Sequence, residues 1–235
     1  MTNIFIEGEK INLCIPADSD FDEWSSWFND QKVTKFLDQG KFPNSTADQK
    51  EFYLNAKKAS RFISMIKSKE GKLLGVISLS EIDFEKSACQ IAIVCPVKCV
   101  SAPFAALEAM AIATEHAFKR LGMRRVWAGQ AYPSLSRWNQ TLEVIGFKTE
   151  GFKRGGFVHG WEVSDAVLIS IVFDDFASMI RRRGNKLWPG ESVSRYLVDG
   201  LIKKQSSASR IKSFIDSCHS DNDELIRSLE EGFLE

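Results

Sequence analysis

The stretch that decides the fold lies between residues 87 and 121 and reads SACQIAIVCPVKCVSAPFAALEAMAIATEHAFKRL. Its nearly all-apolar first part predicts a buried strand that ends at Pro96, and its alanine-rich last part predicts a long helix that begins at 101–103. The loop between them carries Lys98. A helix start presents free backbone N–H groups and the positive end of the helix dipole. This order of elements therefore predicts a phosphate site, suited to a nucleotide or to the pyrophosphate of coenzyme A.

Length and composition favour one globular domain with an appendage. The chain has 235 residues, of which 44% are hydrophobic and 26% charged, and its 31 basic residues balance 31 acidic ones. A net charge of zero does not point to nucleic acid as a partner. The start, MTNIFIEGEK, does not resemble a secretion signal, and no apolar run is long enough to span a bilayer. We therefore expect a cytoplasmic protein without a membrane partner.

The cysteines predict reduced thiols rather than a metal site. Cys14, Cys89, Cys95, Cys99 and Cys218 are scattered and form no CxxC pair. Structural zinc needs two such pairs or nearby histidines, so we expect no metal.

The residues on either side of the central stretch predict a mixed α/β fold. A strand over 10–15 precedes a helix whose aromatic face is predicted to lie in the core, and Thr46 with Gln49 predicts a capping box for a second helix. Strands over 61–66, 72–80 and 88–95 predict an antiparallel meander, and the helix that follows predicts that the next strand, 124–131, is parallel to 88–95. A short helix to Ile145 and a hairpin over 147–173 complete the sheet. The aromatic face consists of Phe21, Trp24, Trp27 and Phe28, and on the central helix a solvated polar stripe is expected at Glu108, Glu115, His116 and Lys119.

The chain changes character after residue 175. We predict a domain over 1–175, a linker over 176–186 and a helical extension over 187–235. The extension has three amphipathic segments, each too short to be a stable helix alone. They must cover apolar surface, either on their own domain or on a second copy in a homodimer, and we expect the phosphate site not to depend on them.

Several motifs together resemble a known family. The stretches are Leu74-Gly75-Val76-Ile77-Ser78-Leu79, then Ala117-Phe118-Lys119-Arg120-Leu121-Gly122, then Leu142-Glu143-Val144-Ile145-Gly146-Phe147 followed by Glu150-Gly151, and Asp165 before an apolar strand. In this order and spacing the chain resembles the GCN5-related N-acetyltransferases (GNAT), and within them the branch of ribosomal-protein N-terminal and amino-sugar N-acetyltransferases. The resemblance covers Lys10 to about Phe173.

The resemblance implies a mixed, mostly antiparallel sheet with one splayed parallel pair of strands, and acetyl-CoA as the acyl donor. It lays the pantetheine arm of the donor along Ile93, Val94 and Cys95. It puts the pyrophosphate over the loop that contains Lys98, Cys99, Val100, Ser101, Ala102 and Pro103.

The chain departs from the family pattern at important positions. Lys98, Ser101 and Pro103 stand where the family has an Arg or Gln and two small residues, and a proline has no N–H for a phosphate. Gln90 stands where a Glu is common, and Leu142 stands where a Tyr often protonates the leaving thiolate. Donor binding is therefore expected to be weaker, and catalysis needs substitute residues.

The main candidate catalytic substitutes are Tyr132, Ser136 and Glu81, and Asp83 and His159 are further alternatives. Tyr132 is favoured, because we expect it where the parallel strands part and the thioester should lie. Each candidate also has a plainer interpretation, since Glu81 fits an exposed turn, Ser136 fits a helix cap and Tyr132 fits packing.

Three functions remain open at this point. The first is an N-acyltransferase that moves acetyl from acetyl-CoA to a primary amine, which is an amino sugar, a small amine or a protein N-terminus. The second is a protein that keeps the fold and the coenzyme A site but not turnover, as Gln90, Leu142 and Pro103 suggest. The third uses Arg181 to Arg183 and the extension to bind a nucleic acid or protein, and it has the least support, because three arginines are typical of a solvated linker.

Overall fold

The computed structural model of the protein describes residues 3–37, 39–96 and 104–234. Its elements up to the middle of the chain are β1 (Ile4–Glu7), β2 (Ile11–Cys14), α1 (Asp20–Phe28), α2 (Gln31–Thr34), α3 (Thr46–Lys58), β3 (Phe62–Ser68), β4 (Leu73–Asp83), β5 (Ala88–Val94) and α4 (Ala105–Lys119). They continue with β6 (Arg125–Tyr132), α5 (Ser136–Leu142), a 3₁₀ turn (Glu143–Ile145), β7 (Lys148–His159), β8 (Glu162–Val172), α6 (Phe173–Arg182), α7 (Glu191–Leu201) and α8 (Ser207–Leu234).

The strands form one sheet in the order β1-β2-β3-β4-β5-β6-β8-β7. Every neighbouring pair is antiparallel except β5 and β6, which are parallel because α4 crosses over between them. The predicted α/β class, the meander of β3 to β5 and the single parallel pair are confirmed.

Helices cover both faces of the sheet. The aromatic face of α1, from Phe21 to Phe28, packs with Met65 and Val76 in one core cluster, so the prediction that it is core is confirmed. Helix α4 lies on the other face, in a larger cluster that includes Leu107, Met110 and residues of β6 and β8.

Local helix and strand boundaries differ from the predictions in four places. The sequence pattern did not predict β1 or α2. The capping box of α3 is formed by Ser45 and Asp48, not by Thr46 and Gln49, because the Ser45 hydroxyl accepts from the Asp48 N–H and the Asp48 carboxylate accepts from the Ser45 N–H. Helix α4 begins at Ala105, later than predicted, after Phe104 at a φ of 72°.

The polar stripe predicted on α4 is wrong at Glu108. This residue is fully buried, and its carboxylate accepts hydrogen bonds from the backbone N–H groups of Glu9 and Lys10. His116 is half-buried, with its ring 5.3 Å from Phe5 and 5.2 Å from Phe62. The cause is the hairpin of β1 and β2, which covers this side of α4.

The C-terminal residues also differ from expectation. The stretch expected to be a linker is helical up to Arg182, because Phe176 of α6 is buried and stacks on Phe118 with ring centroids 4.5 Å apart. The second and third predicted segments form one helix, α8, of 28 residues. Leu187 and Ala208 are buried in the core cluster of α4, so the extension packs on the domain. The division of the chain into domains stays a prediction.

No helix in the described part of the chain is both long enough and apolar enough to cross a membrane.

Candidate active site

The parallel strands β5 and β6 part soon after they begin to pair. They are in register at three positions, Ala88 with Arg125, Cys89 with Val126 and Gln90 with Trp127. Beyond these, β5 continues along β4 and β6 continues along β8. Beyond the three paired positions, the backbone N–H and C=O groups on the facing edges of β5 and β6 do not bond to each other. These groups need other partners. The cleft between β5 and β6 therefore suits an extended ligand with amide groups, which can pair as an added strand does.

Gly75 of β4 shapes the open end of this cleft. A Cβ on Gly75 would lie 2.5 Å from the carbonyl oxygen of Val94 and 2.7 Å from the Sγ of Cys95. Only glycine allows β5 to approach β4 this closely at its end. Among the residues predicted for the pantetheine arm, Ile93 and Val94 are half-buried at this place and Cys95 is exposed.

The predicted pyrophosphate residues Lys98, Cys99, Val100, Ser101, Ala102 and Pro103 lie outside the described residues. Phe104 follows them and offers no side-chain cap to the N-terminus of α4. The guanidinium carbon of Arg195, on α7, lies 5.2 Å from the centroid of the Phe104 ring. The extension thus brings a cation to the start of α4, which the sequence did not lead us to expect.

Five polar residues lie at the point where the strands part; we call Arg61, Ser78, Ser80, Glu81 and Gln90 the apex cluster. The Ser80 hydroxyl donates to the side-chain oxygen of Gln90 at 3.2 Å, and Arg61 donates to the Ser78 hydroxyl at 3.2 Å. Glu81 follows Ser80 in a bulge of β4, at a φ of 50°. Burial lowers the pKa of Arg61, and the Glu81 carboxylate acts in the opposite direction. Because strand side chains alternate, Ser78 and Ser80 share with Val76 the face that α1 and α3 cover.

Tyr132 does not lie where the strands part, contrary to our expectation. It is five residues beyond Trp127 on β6, which is about 16 Å along a strand. Its ring meets Phe152 edge-on with centroids 4.9 Å apart, and it packs against the core cluster of α4. It is therefore on the opposite face of the sheet from the apex cluster.

Ser136 is not a helix cap, because the N-cap of α5 is Leu135. The Ser136 hydroxyl donates to the carbonyl of Pro133 at 2.6 Å, which is a local turn bond. The three predicted catalytic residues, Tyr132, Ser136 and Glu81, are thus not brought together. Leu142, at the position of the family's acid, is fully buried in the core.

Two amides that the sequence analysis missed are candidates for ligand contacts. The side-chain oxygen of Gln130 and both amide atoms of Asn139 are buried without a hydrogen-bond partner, and Asn139 is only 4% exposed. Gln130 is on β6, and α5, which carries Asn139, contacts β6. Buried polar groups are normally paired, so such atoms call for an explanation. Gln130 is a polar residue in a largely apolar strand, which is the only signal for it in the sequence, whereas Asn139 lies among other polar residues of α5 and carries no such signal.

The thiols and carboxylates do not form a metal centre in the part of the chain that the structure describes, where no group of three potential ligands occurs. Cys14 and Cys89 are buried, and burial raises the pKa of the Cys89 thiol to about 12. Such a thiol is protonated and inert at neutral pH.

The family described as "Acetyltransferase (GNAT) domain" matches residues 11–148, which is more than half of the chain. The chain belongs to the GNAT acetyltransferase family. The matched range includes β5, α4 and β6, and therefore both strands of the cleft. No curated protein matches the chain.

Solved structures agree with this fold. Spermidine N-acetyltransferase from Vibrio cholerae, solved in complex with CoA and spermine, is 15% identical with a TM-score of 0.64, covering 72% of this chain and 99% of its own. A GNAT-family acetyltransferase from Bacillus anthracis is 21% identical with a TM-score of 0.60, covering 72% and 98%. The Microcin C7 self-immunity acetyltransferase, in complex with acetyl-CoA and AMP, is 20% identical with a TM-score of 0.60, covering 71% and 94%. At these identities the likeness concerns the fold, and the ribosomal-protein or amino-sugar branch stays a prediction.

Proposed function

We propose that this GNAT protein transfers acetyl from acetyl-CoA to a primary amine. The observation that carries the proposal is the cleft between β5 and β6, which opens after Gln90 and Trp127. If the pyrophosphate binds at residues 98–103, as the sequence predicts, the pantetheine arm must run back along β5. The three residue steps from Ile91 to Val94 are about 10 Å long. This path brings the thioester towards the apex cluster.

The amine would attack from the face that carries the apex cluster. Its nitrogen bonds to the thioester carbonyl carbon, the carbon–sulfur bond breaks, the amine loses one proton and the thiolate gains one. Gln90 cannot act as a base, and its side-chain oxygen is engaged by Ser80. We propose that Glu81 attracts the ammonium group and accepts one proton from it to give the neutral amine. The proton that the nitrogen loses after attack then passes through water to the thiolate, since Tyr132 is about 16 Å from the apex along β6.

We propose that Gln130 and Asn139 pair with amide groups of the pantetheine arm. Both have buried amide atoms without partners, and an arm with two amides has matching donors and acceptors. Arg195, beside Phe104, would pair with the pyrophosphate together with Lys98. This assigns part of the extension to the donor site, against our expectation that the site does not depend on it.

A donor-binding protein without turnover is the second candidate function. It is favoured by Gln90 at the position of the family's base and by the burial of Leu142 at the position of the acid. The two candidates make the same prediction for donor binding and opposite predictions for thiol release.

The test is thermal unfolding with acetyl-CoA, followed by thiol release in the presence of an amino sugar, a polyamine or a peptide with a free N-terminus. Acetyl-CoA should raise Tm by mass action, and one amine class should release coenzyme A. Loss of general base catalysis typically costs about a hundredfold or more, so Glu81→Gln should slow release by this factor and Tyr132→Phe, the matched control, should not. No Tm shift at saturating acetyl-CoA would contradict the donor. A shift without release for any amine would favour the binding protein.

A further inference from the structure

The far half of α8 carries an apolar stripe that no described residue of the chain covers. We call residues 219–234 the arm. Leu225, Ile226, Leu229 and Phe233 are 57%, 53%, 64% and 89% exposed. At 100° per residue these four side chains fall within an arc of about 100°, so they form one face of the helix.

The protein's own domain holds the near half of α8 and not the arm. Ala208 is buried, Lys212 pairs with Asp165 of β8 at 3.4 Å, and α8 also contacts β7. From residue 219 to residue 231 every side chain is exposed. An apolar helix face of this kind indicates an interaction site.

A second exposed apolar patch lies at the end of the β7–β8 hairpin. We call residues 153–163 the hairpin tip. Val158 and Val163 are 53% and 63% exposed and are direct cross-strand partners, and Trp161 in the turn is completely exposed. Exposed tryptophans are frequent anchors in protein interfaces.

The arm and the hairpin tip carry opposite charge. The arm has five acidic residues and one basic residue, Arg227, for a net charge of −4. The hairpin tip has the exposed Lys153 and Arg154 against one acid, Glu162, for a net charge of +1. Neither Lys153 nor Arg154 forms a salt bridge with any described residue. Two arms facing each other would bring together two charges of −4, so pairing between arms is disfavoured.

We propose that the arm of one copy docks on the hairpin tip of a second copy, and that the second arm docks on the first tip. This is a symmetric dimer in which one heterotypic contact is made twice, which doubles the buried area. Helix α8 contacts β7, so each copy presents its arm and its tip from adjoining elements. Phe233 and Trp161 are the anchors, and Arg154 and Lys153 face the acidic residues of the arm.

The first experiment measures the mass of the full chain in solution by sedimentation velocity over a range of concentrations. The parent protein should dimerise, and Leu229→Glu or Trp161→Glu should each weaken dimerisation about tenfold or more. Phe84→Glu is the matched control, since Phe84 is 65% exposed and lies outside both surfaces. All three positions are exposed, so circular dichroism and Tm should stay as in the parent. A parent protein that is monomeric throughout would overturn the proposal.

The second experiment separates arm-to-tip docking from pairing between arms. A mixture of the Leu229→Glu and Trp161→Glu variants keeps one intact contact per mixed dimer, so the mixture should associate more strongly than either variant alone. Arg154→Glu should weaken the dimer, and Glu230→Arg in the same chain should restore part of it. If Trp161→Glu dimerises as the parent does while Leu229→Glu does not, the arms pair with each other or with another surface and the proposal is wrong.

Discussion

The Nζ of Lys67 lies 2.6 Å from Oδ1 of Asp20, and both side chains are more than nine-tenths buried. Asp20 opens α1 and also accepts a hydrogen bond from the backbone N–H of Ala17 at 2.8 Å. Lys67 is on β3, so the pair ties the first helix to the sheet on the face that α1 and α3 cover. Removing a charged side chain from water costs several kcal/mol. Each ion of the pair therefore needs the opposite charge of the other to offset the cost of its burial.

Lys67→Met is expected to lower the free energy of unfolding by about 3–5 kcal/mol, because it leaves the Asp20 carboxylate buried and unpaired. Asp20→Asn together with Lys67→Met should cost much less than the sum of the single changes. Denaturant unfolding of the parent, both single variants and the double variant measures this coupling. Additive effects in this cycle would show that the pair does not act as a unit.

The buried carboxyl of Glu108 should make stability depend on pH. Burial raises its pKa, and the N–H groups of Glu9 and Lys10 oppose the rise. A carboxyl with a raised native pKa binds its proton more tightly in the folded state. The contribution of Glu108 to the free energy of unfolding is therefore most favourable below the ordinary carboxyl pKa, near about 4. It is lost as the pH rises through the raised pKa of the folded protein.

Glu108→Gln does not titrate, so the parent should lose stability relative to this variant as the pH rises above about 4. Unfolding by urea at several pH values measures the difference. Glu51→Gln, at an exposed position of α3, is the control for replacing a carboxylate that stays in contact with water. A constant difference between Glu108→Gln and the parent would contradict the raised pKa.

The sequence predicted those parts of the fold that depend on local pattern. The aromatic face of α1 and the apolar runs of β3 to β5 are local, and the parallel pairing of β6 follows from the helix that connects it to β5. The burial of Glu108 was not predictable, because it depends on a hairpin whose first strand, Ile4–Glu7, is largely exposed and has no clear apolar pattern.

The site was less predictable than the fold for a similar reason. Where β5 and β6 part depends on how many residues pair, and no residue type encodes that number. We expected Tyr132 at the point where the strands part, but it lies five residues beyond Trp127, which is about 16 Å further along β6. Gln130 and Asn139 were missed, because unpartnered amides are visible only once their surroundings are known.

Gly75→Ala is expected to disturb the open end of the cleft. The new methyl group would meet the Val94 carbonyl and the Cys95 sulfur at less than 3 Å, and overpacking of this kind typically costs about 1–3 kcal/mol. Displacing the end of β5 should also weaken coenzyme A binding, measured by calorimetry. Gly151→Ala is the matched control, since a Cβ at this strand glycine meets no atom within 4 Å. Unchanged stability and affinity in Gly75→Ala would show that β5 does not need this approach.

Asn139→Leu is expected to raise Tm and to weaken donor binding at the same time. The two unpartnered amide atoms of Asn139 cost the ligand-free protein an estimated 1–3 kcal/mol of desolvation, which an apolar side chain of similar size removes. If the Asn139 amide pairs with the pantetheine arm when the donor binds, the substitution gains stability but loses affinity for coenzyme A.

Thr114→Val provides the matched control for Asn139→Leu. The Thr114 hydroxyl is also buried without a partner, and it lies in the interior of α4. Its replacement should raise Tm by a similar mechanism and leave coenzyme A affinity unchanged, because no donor group is expected there. Thermal unfolding and calorimetry on both variants separate the two effects. If Asn139→Leu lowers Tm, the amide already has a partner such as a bound water. If it raises Tm while the affinity for coenzyme A stays at the parent value, Asn139 has no part in holding the donor.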